Sequence, residues 1–328
     1  MDARQRRGGP LGALAALVLA LAGVALALLA GEAVLRLAGF QYHLMPTVQF
    51  GWPDPQTIAS NYADDPDLFW VTKDYRQKLR LARKTRPDVI FMGDSCTEFG
   101  HYPERALEES GRLTGTASTG VHLGAGGWTS EQGLLQLQRD VLSIHPRVIV
   151  VYYGWNDHWI ALGPTDPQLE RVRPWLQLAE HFRLAQAGLK VWVGGSNRRG
   201  DKPPRVSPER YLSNLETIAH KARDAGIVPI LVTAPSNHVP GREPEYLQIR
   251  HVNRLSDVVP LHAQYVDLTR QAAKEGHAVL CDAFAALKAR PDTATLFRND
   301  GIHFTDAGDA VLGQVVGQCL APALQRRS

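Results

Sequence analysis

The chain has 328 residues, of which 44% are hydrophobic and 21% charged, and these proportions exclude a disordered or fibrous protein. Its 36 basic and 33 acidic residues leave a formal charge of +3, so no nucleic-acid partner is expected. The length allows one large domain or two small ones, with a sizeable hydrophobic core.

The first element is an apolar segment, residues 11–30, that carries no charged side chain. About 20 apolar residues are enough to cross the hydrocarbon core of a bilayer as a helix. Arg4, Arg6 and Arg7 precede the segment, and the positive-inside rule places residues 1–10 in the cytoplasm and the remaining chain outside, in the periplasm or the extracellular space. A cleaved signal peptide is the competing interpretation, but its apolar region is typically about 7–15 residues long. We therefore expect a single-pass transmembrane anchor.

Residues 31–86 form a juxtamembrane lead-in between this anchor and the first predicted strand. The anchor helix is expected to continue to about Gly39. A Pro-rich and aromatic stretch follows, from Met45 to Trp70. Because proline interrupts regular structure, this stretch is expected to lie as an extended strap against the domain.

From residue 87 onward, short apolar strands alternate with amphipathic helices. Strands are predicted at residues 88–92, 147–153, 227–233 and 278–281. Helices are predicted at residues 102–112, 130–144, 208–225 and 307–320. This alternation predicts an α/β domain over residues 87–322, a three-layer α/β/α sandwich with a central parallel sheet of the flavodoxin-like kind.

Residues 158–206 interrupt the alternation and are interpreted as an insertion. Its basic cluster, Arg198 to Arg205, is interpreted as a solvated loop. We expect the insertion to cover the functional site and to select the substrate, because loops at the carboxyl end of such sheets carry specificity.

The three cysteines, Cys96, Cys281 and Cys319, lack the spacing of a zinc site. A disulfide between Cys281 and Cys319 can form in an oxidising compartment. Three buried and unreactive thiols are nevertheless the favoured interpretation. No metal and no cofactor are expected.

Four short blocks lie at the carboxyl ends of predicted strands or directly before helices, where ligands gather in parallel α/β sheets. In chain order they are Gly93-Asp94-Ser95, the glycine-rich residues 124–132, Gly154-Trp155-Asn156-Asp157, and residues 299–305 with Asp300 and His303. Each block taken alone is more often a turn or a helix cap. All four in this order indicate a catalytic site.

Together the blocks resemble the signature blocks of the SGNH/GDSL hydrolase family, over about residues 87–322. The resemblance implies a serine esterase in which Ser95, Asp300 and His303 form the catalytic triad. Histidine suits this role because its pKa lets it accept a proton near neutral pH. His303 takes the proton of Ser95 and later returns it to the leaving alcohol, while Asp300 holds the imidazole tautomer.

The resemblance also implies an oxyanion hole made of the backbone N–H groups of Ser95 and Gly127 and the side chain of Asn156. His122 departs from the family pattern, because many relatives carry Asn ahead of the glycines. The path of the second block is therefore left open.

Three tryptophans, Trp128, Trp155 and Trp159, lie close in sequence to the predicted site. They are possible contacts for a sugar ring of the substrate. Packing in the core is the alternative, and for at least two of them the favoured one.

The resemblance implies hydrolysis of an acyl ester outside the cytoplasmic membrane. By analogy with membrane-anchored relatives, the substrate is expected to be O-acetyl groups of an extracytoplasmic polysaccharide. Acyl transfer to a polysaccharide with the same triad is the alternative. A non-catalytic glycan-binding or assembly subunit is the third hypothesis, although no triad residue is missing.

Overall fold

A computed structural model describes residues 10–43, 55–196 and 200–325 of the chain. Its first helix, α1 (Pro10–Leu37), contains a stretch of 26 residues, Gly12–Leu37, with a mean hydropathy of 2.7. This helix is long and apolar enough to cross a membrane, and the predicted segment 11–30 lies within it. Arg4, Arg6 and Arg7, which precede the anchor, lie outside the described residues.

In the described residues, seven strands form two sheets. The strands are β1 (Tyr62–Asp65), β2 (Phe69–Thr72), β3 (Val89–Gly93), β4 (Gly120–His122), β5 (Val148–Tyr152), β6 (Val228–Val232) and β7 (Val279–Cys281). Strands β1 and β2 pair as an antiparallel hairpin, and the other five form a parallel sheet in the order β4-β3-β5-β6-β7. The predicted parallel sheet is confirmed. Strand β4 was not predicted, because three half-buried residues beginning with glycine give no apolar run.

The helices cover both faces of the parallel sheet. After α1 they are α2 (Pro55–Asn61), α3 (Tyr75–Thr85), α4 (Ser95–Phe99), α5 (Tyr102–Thr114), α6 (Ser130–Gln136), α7 (Trp155–His158), α8 (Asp166–His181), α9 (Arg183–Ser196), α10 (Pro208–Asp224), α11 (Leu247–Arg250), α12 (Val258–Glu275), α13 (Ala283–Lys288) and α14 (Asp306–Gln325). A π turn (Leu137–Val141) and a 3-10 turn (Leu142–Ile144) extend α6, and further 3-10 turns lie at Leu255–Asp257 and Thr293–Leu296.

Neighbouring residues of the three central strands, β3, β5 and β6, point into different cores, because side chains alternate along a strand. In β3, Ile90 and Met92 pack into a core with helices α3, α10 and α12. Val89 and Phe91 pack into the opposite core with helices α5, α13 and α14. The predicted three-layer α/β/α sandwich is therefore confirmed.

The expected extended strap is wrong for residues 55–72. These residues form helix α2 and the β1–β2 hairpin, and Leu68, Trp70 and Val71 are fully buried in the core. The Asp65 carboxylate closes the hairpin turn by accepting hydrogen bonds from the backbone of Asp67 and Leu68. Burial of these large side chains stabilises the hairpin, which the local sequence pattern did not indicate. Residues 44–54, the first part of the expected strap, lie outside the described residues.

The cysteines differ from the favoured interpretation. Cys281 at the end of β7 and Cys319 in α14 form a disulfide, with Cα atoms 5.8 Å apart. The two elements pack against each other in the core, and sequence spacing does not reveal this proximity. Cys96 is buried and has a free thiol, as predicted.

The segment 158–206 contains α8, α9 and an antiparallel bridge between Ile160 and Pro204. Arg205 was expected in a solvated loop, and that expectation is wrong. Its guanidinium is only 1% exposed and lies 2.7 Å from the equally buried carboxylate of Asp166. A buried cation persists only with partners of this kind. Arg198 and Arg199 lie outside the described residues.

Candidate active site

Ser95 lies at the start of α4, directly after β3 and therefore at the carboxyl end of the parallel sheet. The preceding residue, Asp94, caps this turn, because its Oδ1 accepts a hydrogen bond of 2.9 Å from the backbone N–H of Cys96. Asp94 is fully buried, and burial raises the pKa of its carboxyl group to about 6. This arrangement leaves Ser95 at the wall of a cavity.

The structure brings Ser95, His303 and Asp300 together in one chain of hydrogen bonds. His303 Nε2 lies 2.8 Å from Ser95 Oγ, and His303 Nδ1 lies 2.7 Å from Asp300 Oδ2. When Nδ1 carries the hydrogen that Asp300 accepts, Nε2 is free to accept the hydroxyl proton of Ser95. The geometry is that of a nucleophile, a base and a residue that orients the base.

The turn that carries His303 is held mainly by its own residues. Asp300 Oδ1 accepts hydrogen bonds of 2.9 Å from the backbone N–H groups of both Ile302 and His303. Arg298 N donates to His303 O across the same turn. Burial alone would raise the pKa of the Asp300 carboxyl, but the hydrogen bond and charge of His303, together with these amides, bring it below its ordinary value. Asp300 therefore stays ionised beside the imidazole.

His238 supports the same turn and was not predicted. Its Nε2 lies 2.9 Å from Asp300 O, and its Nδ1 lies 3.1 Å from Ser236 Oγ. Burial lowers the pKa of His238, so a neutral ring can donate from Nε2 to the carbonyl and accept from the serine hydroxyl. Its position far from the motif in sequence gave no signal that could have identified it.

The glycine-rich loop between β4 and α6 is held by three distant segments. Gly126 O accepts a 2.8 Å hydrogen bond from Trp70 Nε1, and Gly126 N donates to Glu98 Oε2. Gly127 O accepts a 2.7 Å hydrogen bond from Arg205 Nη1. Gly127 has a φ of +78°, a conformation that favours glycine. The loop therefore depends on the hairpin, on α4 and on the end of the 158–206 segment.

Asn156, in the block after β5, lies beside Ser95 in the cavity wall. Its Nδ2 donates to Trp128 O at 3.1 Å and to Asp94 Oδ2 at 3.3 Å. The next residue, Asp157, accepts from the backbone of Ser130 and Gly154. Asp157 thus fixes this block to α6, and burial raises the pKa of its carboxyl group to about 7.

A cavity of about 580 Å³ opens beside Ser95. The described residues that line it are Ser95, Trp155, Asn156, Trp159, Tyr246, Leu247, His251, Arg298, Asn299, Asp300, Ile302 and His303. Its volume is typical of small-molecule sites. Among these lining residues, Trp159 comes from the 158–206 segment, and none comes from α8 or α9. The lining therefore provides no support for the expectation that this insertion covers the site.

Two of the three predicted tryptophans reach this cavity. Trp155 and Trp159 line it, but each is only 2% exposed, and Trp155 stacks on His262 with ring centres 3.8 Å apart, so both also pack in the core as the favoured alternative predicted. Trp128 is fully buried, packs edge-on against Tyr75 and donates from Nε1 to Trp70 O at 2.9 Å. Trp128 is therefore a core residue and was wrongly included among the possible substrate contacts.

The connection between β6 and α12 contributes Tyr246, Leu247 and His251 to the lining, and sequence reasoning missed all three. They share no motif. The signal that could have identified the region is its position, because a long connection after the carboxyl end of a parallel strand faces the ligand site.

The GDSL-like lipase/acylhydrolase family model matches residues 91–311, well over half of the chain. The chain belongs to this family. It is accordingly a hydrolase of ester bonds. The family match also covers all four signature blocks in full, in agreement with the predicted resemblance.

Individual relatives are distant. The uncharacterized lipoprotein YqeF of Bacillus subtilis (strain 168) is 26% identical over 153 residues, which cover 44% of this chain and 47% of the relative. The chain thus matches about half of that protein's length.

The solved structures that are similar to the chain include two bacterial enzymes. The lipase/acylhydrolase from Enterococcus faecalis shares 17% identity, with a TM-score of 0.48 and coverage of 71% of this chain and 95% of the other. The acetylxylan esterase from Geobacillus stearothermophilus shares 16% identity, with a TM-score of 0.45 and coverage of 74% and 95%. Identities this low leave the substrate of this chain to be argued from its own site.

Proposed function

We propose that this GDSL-family hydrolase cleaves its ester through an acyl-serine intermediate on Ser95, with His303 as general base and acid and Asp300 as its orienting partner. The proposal rests on the two hydrogen bonds that link Ser95, His303 and Asp300 at the cavity wall. Helix α1 anchors the enzyme in a membrane, with residues 1–10 in the cytoplasm and the catalytic domain on the outer side.

The proposed reaction proceeds in two halves. His303 Nε2 takes the proton of Ser95 Oγ as the oxygen attacks the ester carbonyl, and His303 then gives that proton to the leaving alcohol. Water, activated by the same imidazole, releases the acid from Ser95 in the second half. Asp300 keeps the hydrogen on Nδ1 and stabilises the imidazolium formed in each half.

The oxyanion is expected to bind to the backbone N–H groups of Ser95 and Gly127 and to the amide of Asn156. Asn156 must release one internal hydrogen bond to donate, and the longer bond, 3.3 Å to Asp94, is the one that costs less to break. Since the carbonyl and N–H of a trans peptide point in opposite directions, the bond from Trp70 to Gly126 O directs the Gly127 N–H away from Trp70. Each donor typically contributes about 3 kcal/mol to stabilising the transition state.

The proposed substrate class is an O-acetylated polysaccharide outside the cytoplasm. The cavity is much larger than an acetyl group, so most of it is available to the alcohol half of the ester. Its lining includes the aromatic rings of Trp155, Trp159 and Tyr246, of which Tyr246 is 43% exposed and the two tryptophans are 2% exposed each. Aromatic rings suit a sugar ring, because its faces are apolar.

The test is hydrolysis of short and long p-nitrophenyl esters and of an O-acetylated polysaccharide by the detergent-solubilised full chain. The Ser95→Ala variant is expected to lose at least about 10⁴-fold in kcat. Cys96→Ala is the matched control, because the neighbouring thiol is buried and takes no part in the mechanism. Full activity of Ser95→Ala would refute the serine mechanism, whereas a preference for long acyl chains would refute only the polysaccharide assignment.

Hydrolysis and acyl transfer share the acyl-serine half, so the products must separate them. Adding a deacetylated polysaccharide as acceptor is expected to leave free acetate as the product. Appearance of acetylated acceptor would replace hydrolysis by transfer with the same triad. A role as a non-catalytic binding subunit would require undiminished biological function in the Ser95→Ala protein.

A further inference from the structure

We propose that the exposed apolar residues Trp175, Leu178 and Phe182, here termed the interfacial face, contact the bilayer that α1 crosses, with Phe182 in its headgroup layer. The partner is thus a lipid surface, and the contact seats the catalytic domain on the membrane. This inference rests on the membrane anchoring in the proposed function and is independent of the triad.

The end of α1 is bound to the junction between α8 and α9. The two carboxylate oxygens of Glu32 accept hydrogen bonds of 3.0 Å and 2.9 Å from the backbone N–H groups of Arg183 and Leu184. Arg36 Nη2 donates to His181 O at 2.8 Å. These three bonds on either side of Phe182 fix the junction to the last turns of the anchor helix.

The contact continues along α9 as the chain leaves α1. Tyr42 N donates at 3.0 Å to Oε1 of Gln186, a buried side chain, and Lys190 Nζ lies 5.6 Å from the centre of the Phe40 ring. Phe40 and Tyr42, which follow the anchor helix, are therefore docked on α9.

The position of Glu32 and Arg36 along α1 sets the depth of the junction. An α-helix rises 1.5 Å per residue, so with residues 11–30 in the hydrocarbon core, Glu32 lies about 3 Å and Arg36 about 9 Å beyond its edge. The headgroup layer extends roughly 5–8 Å from that edge. Phe182, which lies between the residues bound by Glu32 and Arg36, is placed at headgroup depth.

The interfacial face has the composition of a membrane contact. Trp175, Leu178 and Phe182 are 68%, 41% and 48% exposed, and their spacing of three and four residues places them on one side of α8 and its C-terminal cap. Trp and other aromatic residues are enriched where a protein meets the headgroups. Large apolar side chains grouped on a surface mark a contact of this kind.

The elements that carry this face also carry exposed cations. Arg171 on α8 and Lys190 on α9 are exposed, as is Arg36 at the end of α1, which is paired with Glu32 at 2.7 Å. Cations next to a bilayer are attracted to anionic headgroups, each by about 1 kcal/mol. Apolar side chains flanked by exposed cations favour a lipid surface over a second copy of the chain, which would bring like charges together.

The experiment places single fluorophores on the full chain in vesicles of phosphatidylcholine with a minority of phosphatidylglycerol. Of the three native cysteines two form a disulfide and Cys96 is buried, so labels attach to introduced cysteines. The test variants are Trp175→Cys and Phe182→Cys. Leu21→Cys in α1 reports the anchor, and the exposed Leu81→Cys and Leu113→Cys are the water-facing controls.

Lipids with nitroxide headgroups are expected to quench labels at positions 175 and 182 at least about twofold more than those at 81 and 113. Position 21 lies at the centre of the hydrocarbon core, so Leu21→Cys is measured with lipids that carry the nitroxide on the acyl chain. A quenched Leu21→Cys with positions 175 and 182 equal to the controls would overturn the interfacial face and leave the anchor intact. An unquenched Leu21→Cys, with a probe inserted in the same lipid as reference, would remove the anchor as well. Shielding of position 175 in detergent that rises with protein concentration would assign the face to a second copy instead. Ester hydrolysis by each labelled variant shows separately whether the catalytic proposal holds.

Discussion

Two loops at the carboxyl end of the sheet, the His303 turn and the glycine-rich loop of Gly127, are stabilised in different ways. In the His303 turn, Asp300 accepts hydrogen bonds from the amides of Ile302 and His303 and pairs with the imidazole, all within three residues. The glycine-rich loop instead takes its hydrogen bonds from Trp70, Glu98 and Arg205, which are 28 to 78 residues away. A local network makes a short motif informative, whereas the conformation of the second loop depends on how distant segments pack.

The first prediction breaks the local network. Asp300→Asn is expected to lower kcat by about 10⁴-fold, because the amide no longer favours the tautomer that accepts the serine proton. One oxygen remains to accept the backbone N–H groups, so the fold should persist. Steady-state kinetics and a thermal unfolding curve test both parts of the prediction.

Asp306→Asn is the matched control, since this exposed carboxylate follows His303 by three residues and lies in the first turn of α14. Its kcat should stay within about twofold of the parent value, as expected of a surface substitution. A comparable loss in both variants would mean that the turn, and not the imidazole, had been disturbed.

The second prediction tests a distant support of the glycine-rich loop. Arg205→Met is expected to lower the free energy of unfolding by about 3–5 kcal/mol, because it leaves the Asp166 carboxylate buried without its cation. Adding Asp166→Leu should recover most of that loss. The double variant should still hydrolyse esters more slowly, since the hydrogen bond to Gly127 O is missing. Denaturant unfolding in detergent and the ester assay measure the two effects.

An exposed ion pair provides the comparison. Arg290 and Asp292 lie 2.8 Å apart, but both side chains are more than 40% exposed. Arg290→Met should change the free energy of unfolding by less than about 1 kcal/mol. Equal losses at Arg205 and Arg290 would contradict the buried pair as the source of stability.

The third prediction tests whether Trp70 positions the Gly127 N–H in addition to packing in the core. Trp70→Phe removes the donor to Gly126 O, while Trp128→Phe removes a donor of the same kind to Trp70 O. Both side chains are fully buried, so similar losses of stability, about 1–3 kcal/mol, are expected. Only Trp70→Phe should also lower kcat, by about tenfold and with little change in KM, because it loosens the peptide that carries the Gly127 N–H. Equal loss of kcat in the two variants would contradict a positioning role for Trp70.

The comparison of the loops also explains which predictions from the sequence succeeded. The strands at β3, β5 and β6 were predicted because a continuous apolar run is a local property of the chain. The hairpin that contains Trp70 was missed because prolines and scattered aromatics hid its burial. Arg205 was wrongly predicted to be solvated because its partner, Asp166, lies 39 residues earlier in the chain, before the two helices α8 and α9.

The sequence by itself determined the apolar helix, the alternation of strands and helices, and the order of the four blocks that identify the family. These features depend on side-chain polarity and spacing along the chain, which are local. Only the tertiary structure decided that Trp128 belongs to the core, that Cys281 pairs with Cys319, and that Tyr246 and His251 line the cavity. Each of these outcomes depends on contacts between segments that are distant in sequence, and a local sequence pattern does not specify such contacts.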